Sequence, residues 1–232
     1  MCSKSLITKF TLLIFLTVIV SMFMVSCETK SNNGNNREIE SVEPIAWEYI
    51  ENHMAFDDAI LHMMLPYDED RLYQQAEFVF EAVNFRFNQS TDIEKLPFKS
   101  YQGSFIQLML NGKPYGPIRS TEQSYPLSEG HYVALAFLCN DKGFIARSPE
   151  SYVLRQFYVG DREYEPADLT EPMIFNHVPE GNYEEGQNIP LDFFLANTNL
   201  QNQGGHRVKI KINDQNWLLD RWQPISISGL SA

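Results

Sequence analysis

The chain has 232 residues and carries 30 acidic against 18 basic side chains, a net charge of −12 at pH 7. This excess of acid repels the phosphates of nucleic acid and of anionic lipid surfaces, so nucleic acid is excluded as a partner. There are three cysteines, which is too few for a disulfide framework.

The first 27 residues have the organisation of an export signal. Lys4 and Lys9 precede a stretch of 16 uncharged, mostly apolar residues from Phe10 to Val25, and small Ser26 stands directly before Cys27. The stretch is shorter than the roughly 20 residues that a membrane-spanning helix needs. A transmembrane helix and an ordinary secretory signal are the alternatives, but a cysteine at the cleavage position favours lipidation.

The residues around the cysteine, Met24-Val25-Ser26-Cys27, resemble the signal of bacterial lipoproteins that are cut by the lipoprotein signal peptidase. The resemblance implies that residues 1–26 are a signal peptide and that Cys27 is acylated. It also implies a protein held on a membrane of the cell envelope by its N-terminal lipid, since each buried CH₂ of an acyl chain contributes about 0.8 kcal/mol. Glu28 after the cysteine favours the outer membrane.

Two segments separate this signal from the first predicted strand. Residues 27–40 are predicted to be a flexible tether, because Glu28 to Arg37 contains no apolar residue and is rich in Asn. Residues 41–58 are predicted to contain a short helix over Pro44 to Ala55. Proline suits the first helical position, and Ile45 and Tyr49 would share one helix face.

The rest of the mature chain contains an internal duplication. An apolar stretch with an asparagine at its seventh position occurs twice, as Phe78–Phe87 and as Leu191–Leu200. The two copies are 113 residues apart, an offset that Pro66 and Pro179 share. An alternating strand also occurs twice, at an offset of 102. Its matched residues are Ile106, Leu108, Leu110 and Asn111 with Val208, Ile210, Ile212 and Asn213.

Each copy shows the alternation and turn signals of short β-strands. The clearest predicted strands of the first copy are Ala59–Leu65, Ala76–Phe87, Ser104–Leu110, His131–Cys139 and Tyr152–Val159. Such strands over about 100 residues are typical of an immunoglobulin-like sandwich. The predicted fold is therefore all-β, with sandwich repeat 1 over 59–160, a linker over 161–171 and a partial repeat 2 over 172–232.

Repeat 2 is predicted to lack its last two strands, because Leu230-Ser231-Ala232 aligns with the residues that precede the strand from His131. Two explanations remain open at this point: a truncated gene product, or a strand supplied by a protein partner or a second copy of the chain. Residues 59–232 also resemble uncharacterised bacterial lipoproteins with paired β-sandwich repeats. That resemblance implies a fold and no activity.

No motif in the chain indicates catalysis, and we predict neither a metal site nor a cofactor. The histidines occur at none of the spacings that place two metal ligands on one element. Cys139 lies within an apolar run, which favours a buried structural thiol over a nucleophile. Acidic clusters such as Asp68-Glu69-Asp70 lack the ligand alternation and central glycine of a calcium loop, which favours solvated turns.

Aromatic residues near predicted turns are the candidates for ligand binding. Rings beside Asn and Asp side chains can stack against the apolar face of a sugar, and the alternative is that they close the ends of the sandwiches. The candidates are Tyr115, Tyr125, Tyr183, Trp217 and Trp222. The sequence thus predicts a lipid-anchored, non-catalytic binding or scaffold module of the cell envelope, with a carbohydrate-binding or hydrolase-accessory protein as the alternative.

Overall fold

The computed structural model of the chain describes residues 44–51, 56–90, 98, 101–200 and 205–230. The described residues form fourteen strands, and they include no helix that is long and apolar enough to cross a membrane. They fall into two units, residues 44–197 with 223–230, and the described part of Thr198–Trp222. In chain order the strands are β1 Ala46–Tyr49, β2 Ile60–Leu65, β3 Asp70–Leu72, β4 Gln75–Val83, β5 Phe105–Leu110, β6 Lys113–Pro114, β7 Glu122–Pro126, β8 Gly130–Cys139, β9 Tyr152–Val159, β10 Met173–Val178, β11 Ile189–Ala196, β12 Val208–Ile212, β13 Gln215–Leu219 and β14 Ile225–Ser228.

Strands β2 to β9 form the first sandwich. One sheet has the order β2-β4-β7 and the other has the order β3-β9-β8-β5-β6. The inward-facing residues of the two sheets, among them Phe78, Phe80, Leu108 and Phe157, share one buried core. The sheets are antiparallel except where β3 runs parallel to β9. Two such sheets that enclose a single core confirm the immunoglobulin-like repeat and its Phe-rich interior.

Where the second repeat has counterpart strands, their pairing matches that of the first repeat in register. Strand β10 pairs with β11 as β2 pairs with β4: Met173 lies opposite Ala196 and Ile60 opposite Val83, both shifted by 113. A bulge interrupts both pairs at equivalent positions, Asn176/Val178 and Met63/Leu65. Further along the chain the offset is 102, since β11–β14 repeats the register of β4–β7 and β12–β13 repeats that of β5–β6.

Two asparagines at equivalent strand ends repeat the same local structure. Asn84 follows β4 at φ 56° and Asn197 follows β11 at φ 54°, a left-handed conformation that asparagine tolerates. The Nδ2 of each donates to the main-chain oxygen 26 residues earlier, Asp58 and Glu171 respectively, at 3.2 Å in both cases. The positive φ also explains why β4 ends at Val83, four residues before the predicted end at Phe87.

The repeats stack face to face within the larger unit. Strand β5 is buried at every position, because one face lines the core of repeat 1 and the other lies beneath repeat 2. The Phe194 ring of β11 stacks on Phe137 of β8 at 5.3 Å and meets Tyr152 of β9 edge-on at 4.7 Å. The outer face of the β10–β11 pair therefore covers the outer face of the β8–β5 sheet.

The predicted helix over Pro44–Ala55 is wrong where the structure describes it, since Ala46–Tyr49 is strand β1. Strand β1 pairs antiparallel with β14 at the edge of the sheet β1-β14-β11-β10, with Trp47 opposite Ile227. Trp47 and Tyr49 are half-buried, whereas Glu48 is exposed, which is the period-2 alternation of a strand. Hydrogen bonds to β14 satisfy main-chain N–H and C=O groups of β1, and the strand keeps this alternation of side chains.

The fold is thus all-β, with two immunoglobulin-like sandwich repeats. Within the described residues, repeat 2 has counterparts of β2, β4, β5, β6 and β7 and none of β3, β8 or β9. In the part of the chain that is described, β12 pairs with β13 alone, whereas its counterpart β5 lies between β6 and β8. A strand supplied by a partner or by a second copy stays a prediction.

Candidate functional site

The most chemically distinctive cluster lies where the two repeats meet. Cys139, at the end of β8, is fully buried, and its Sγ lies 3.4 Å from Nε2 of His177 on β10. His177 is 4% exposed and is enclosed by the Phe137 and Phe105 rings. The apolar run of β8 places the thiol here, because strand alternation turns Cys139 to the same side as Phe137, towards repeat 2. Burial of this thiol, as the sequence predicted, is confirmed.

The hydrogen bonds of this cluster determine where its protons lie. Nε2 of His177 lies 2.8 Å from the Gly143 carbonyl oxygen, which can only accept, so Nε2 must carry the hydrogen. The basic lone pair of the neutral ring is then on Nδ1, which has no hydrogen-bond partner among the described residues. His177 is therefore unable to take a proton from the Cys139 thiol through the nitrogen that faces it.

The pKa shifts of the pair agree with this assignment. Burial raises the pKa of the Cys139 thiol well above its ordinary value, and the Asp192 carboxylate raises it further. Burial lowers the pKa of His177 to about 4, against the opposing effect of its bond to Gly143. Both groups are neutral at pH 7. A nucleophilic Cys–His pair needs a lowered thiol pKa and solvent access, and neither is present here.

A buried ion pair beside the thiol also connects the two repeats. Asp192 on β11 accepts hydrogen bonds from the Arg147 guanidinium, from Ile145 N at 3.1 Å and from Phe193 N at 2.9 Å. The side chain of Asp192 is completely buried and that of Arg147 is 9% exposed. Burial raises the pKa of Asp192, and the guanidinium opposes that rise. A buried carboxylate with three donors holds β11 against the segment that joins β8 to β9.

The sequence does not reveal this cluster, because its members come from distant parts of the chain. His177 is 38 residues from Cys139, and Asp192 is 45 residues from Arg147. One signal was available: Asp192 is the only charged residue in the strand Ile189–Ala196. An aspartate inside such a strand needs a buried partner.

Two of the predicted aromatic candidates lie together in repeat 1. Tyr115 and Tyr125 are half-buried, and their rings meet edge-on at 5.3 Å and 85°. Tyr125 Oη donates to the Tyr115 carbonyl at 3.0 Å, and its ring also contacts Phe78 of the core. Burial raises the pKa of Tyr125. The pair thus closes one end of the sandwich core.

The other three aromatic candidates lie in repeat 2. Tyr183 is half-buried in the connection between β10 and β11, and burial raises its pKa. Trp217 lies on β13 opposite Ile210, on the more buried face of the hairpin, and Trp222 is half-buried. Cys27 lies outside the described residues. Sugar stacking by any of these rings stays a prediction, which retention on polysaccharide affinity gels would test.

The described ranges contain no group of three or more His, Cys, Asp or Glu side chains placed to hold a metal ion. No model of a protein family matches the chain, and a search of curated proteins finds no match. Among solved structures, the fibronectin(III)-like modules of Clostridium thermocellum CbhA are similar over 74% of this chain and 79% of theirs, with 9% identity and a TM-score of 0.29. A likeness at this level has no bearing on function.

Proposed function

We propose that the chain is a lipid-anchored protein of the bacterial cell envelope that acts as a non-catalytic binding or scaffold module. In this proposal Cys27 carries the acyl chains, and the stacked repeats face away from the membrane. The outer membrane is the proposed location, since Glu28 follows the acylated cysteine.

The face-to-face packing of the repeats is the observation that carries the proposal. The Phe194–Phe137 ring stack and the Arg147–Asp192 ion pair join them through aromatic burial and a buried charge pair. A contact of this kind keeps the β10–β11 pair at a fixed position on repeat 1, and a fixed arrangement of its parts is what a scaffold requires. A flexible linker between the repeats would leave that arrangement undefined.

The chemistry of the buried cluster supports the non-catalytic part of the proposal. In the described residues Cys139 is the free cysteine, and its thiol is buried, neutral and next to the protonated nitrogen of His177. A group that does not reach solvent and lacks an adjacent base presents no nucleophile to a substrate.

Metabolic labelling of cells with an alkyne analogue of palmitate tests the anchor. We expect label on the wild-type chain, none on Cys27→Ala, and full label on Cys139→Ala, which is the matched control because it removes the buried thiol. The wild-type chain should sediment with membranes, and Cys27→Ala should not. Label that survives in Cys27→Ala would contradict the proposal.

A further inference from the structure

A row of cations occupies one face of the β12–β13 hairpin. Strand β12 alternates buried Ile210 and Ile212 with exposed Lys209 and Lys211. Lys209 and Lys211 are two residues of strand apart, about 6.8 Å, and exposed Arg207 stands directly before β12, two residues before Lys209. In the described part of the chain none of the three has an acidic partner within 4.0 Å. Arg207, Lys209 and Lys211 form the cationic face.

Leu218 extends the cationic face with an exposed apolar group. It lies directly opposite Lys209 on β13 and is 54% exposed. A large aliphatic side chain beside unpaired cations, in a chain of net charge −12, is typical of a binding surface with an acidic and partly apolar partner.

A surface of that description occurs in repeat 1. On the outer face of the sheet β2-β4-β7, Glu77 and Glu81 are exposed on β4, and exposed Glu122 on β7 lies opposite Val79 between them. The three carboxylates therefore span about 13 Å in two steps, as the three cations do. Glu77, Glu81 and Glu122 form the acidic face. Met64 and Val83 on the same sheet are 48% and 38% exposed.

The contact between the repeats inside the chain uses the sheet faces that are equivalent in position to these two, although their residues differ in charge. The register equivalents of Val79 and Glu81 are Asp192 and Phe194, which dock on repeat 1. The counterparts of the cationic residues are Phe105, Gln107 and Met109, buried on the face of β5 that receives repeat 2. In each repeat one of these two positions is thus buried within the chain, and the other is exposed.

We propose that the cationic face of one chain docks on the acidic face of a second copy. The two surfaces differ, which makes the contact heterologous and allows it to repeat along a row of molecules. Strongly acidic copies repel one another in most orientations, so the one orientation that opposes cations to carboxylates is selected. The association weakens as salt screens exposed charges.

The test mixes full-length chains grown with ¹⁴N and with ¹⁵N in detergent micelles at low salt and adds a carbodiimide. This reagent joins a carboxylate to a lysine amine only when the two are in contact. We expect cross-linked peptides of mixed isotope that connect Lys209 or Lys211 with Glu77, Glu81 or Glu122, and at least tenfold fewer in 0.5 M salt. Peptides in which every cross-link carries a single isotope would overturn the proposal.

Charge exchange makes the test independent of folding defects. K209E/K211E alone and E77K/E81K alone should each lose at least tenfold in mixed-isotope yield, whereas the matched control K113E, at an exposed site on β6, should not. A mixture of the two double variants should recover the cross-link, because each hairpin then faces a sheet of opposite charge. Failure of the mixture to recover it would also overturn the proposal.

Discussion

His177 makes the free energy of unfolding of the stacked repeats depend on pH. Its ring is 4% exposed, and burial lowers its pKa from 6.5 to about 4. Between these pH values the unfolded chain binds a proton that the folded chain does not bind. The free energy of unfolding contributed by this residue is therefore fully present above pH 6.5 and falls as the pH decreases towards 4.

The size of the effect follows from the shift. One pKa unit corresponds to about 1.4 kcal/mol, so the change from 6.5 to about 4 removes about 3 kcal/mol across the window. A domain with a free energy of unfolding of about 5–15 kcal/mol loses a large share of it. Because His177 lies between the repeats, protonation acts on the surface that joins them.

Urea unfolding at a series of pH values between 7 and 4 measures this contribution. The variant His177→Gln retains a donor for the Gly143 carbonyl and carries no titratable group, so its free energy of unfolding should fall by about 3 kcal/mol less than that of the wild type. His62→Gln, at an exposed site on β2, is the control and should follow the wild type. Identical pH profiles for wild type and His177→Gln would refute the reasoning.

Two further predictions concern the ion pair and the repeated turns. Asp192→Asn should lower the free energy of unfolding by about 3–5 kcal/mol, and Asp192→Leu combined with Arg147→Leu should recover most of that loss in urea titrations, because breaking a buried pair costs more than replacing it with apolar residues. Asn84→Ala and Asn197→Ala should each cost about 1–2 kcal/mol in thermal unfolding, since alanine is disfavoured at positive φ. Unequal losses of stability for these two variants would argue against structurally equivalent turns.

The local sequence pattern was sufficient to predict the strands in which apolar and polar residues alternate. It was also sufficient to predict the offsets between the two repeats. The match of Asn84 with Asn197 and of Pro66 with Pro179 corresponds to equal positions in the folded repeats. These features are determined by neighbours in sequence, which is why periodicity and turn residues reveal them.

What the sequence did not reveal depends on partners that are distant along the chain. Residues 45–49 contain both a helical spacing, from Ile45 to Tyr49, and a strand alternation. Only the open edge of β14, about 180 residues later, decides for the strand. The contact of Cys139 with His177 has the same origin, because the repeats must stack before the two side chains meet. Apolar residues on both faces of β5 were the available sign that another layer covers that sheet.

The central claim is that the β10–β11 pair is locked onto repeat 1 within the larger unit, and the reactivity of Cys139 tests it most directly. Alkylation of the thiol by iodoacetamide, followed by mass spectrometry of the peptide that contains Cys139, gives the free energy of the opening that exposes it. We predict that this value equals the free energy of global unfolding and falls with urea at the same slope. A smaller, urea-independent value would show that the repeats separate while each stays folded, and would contradict the account.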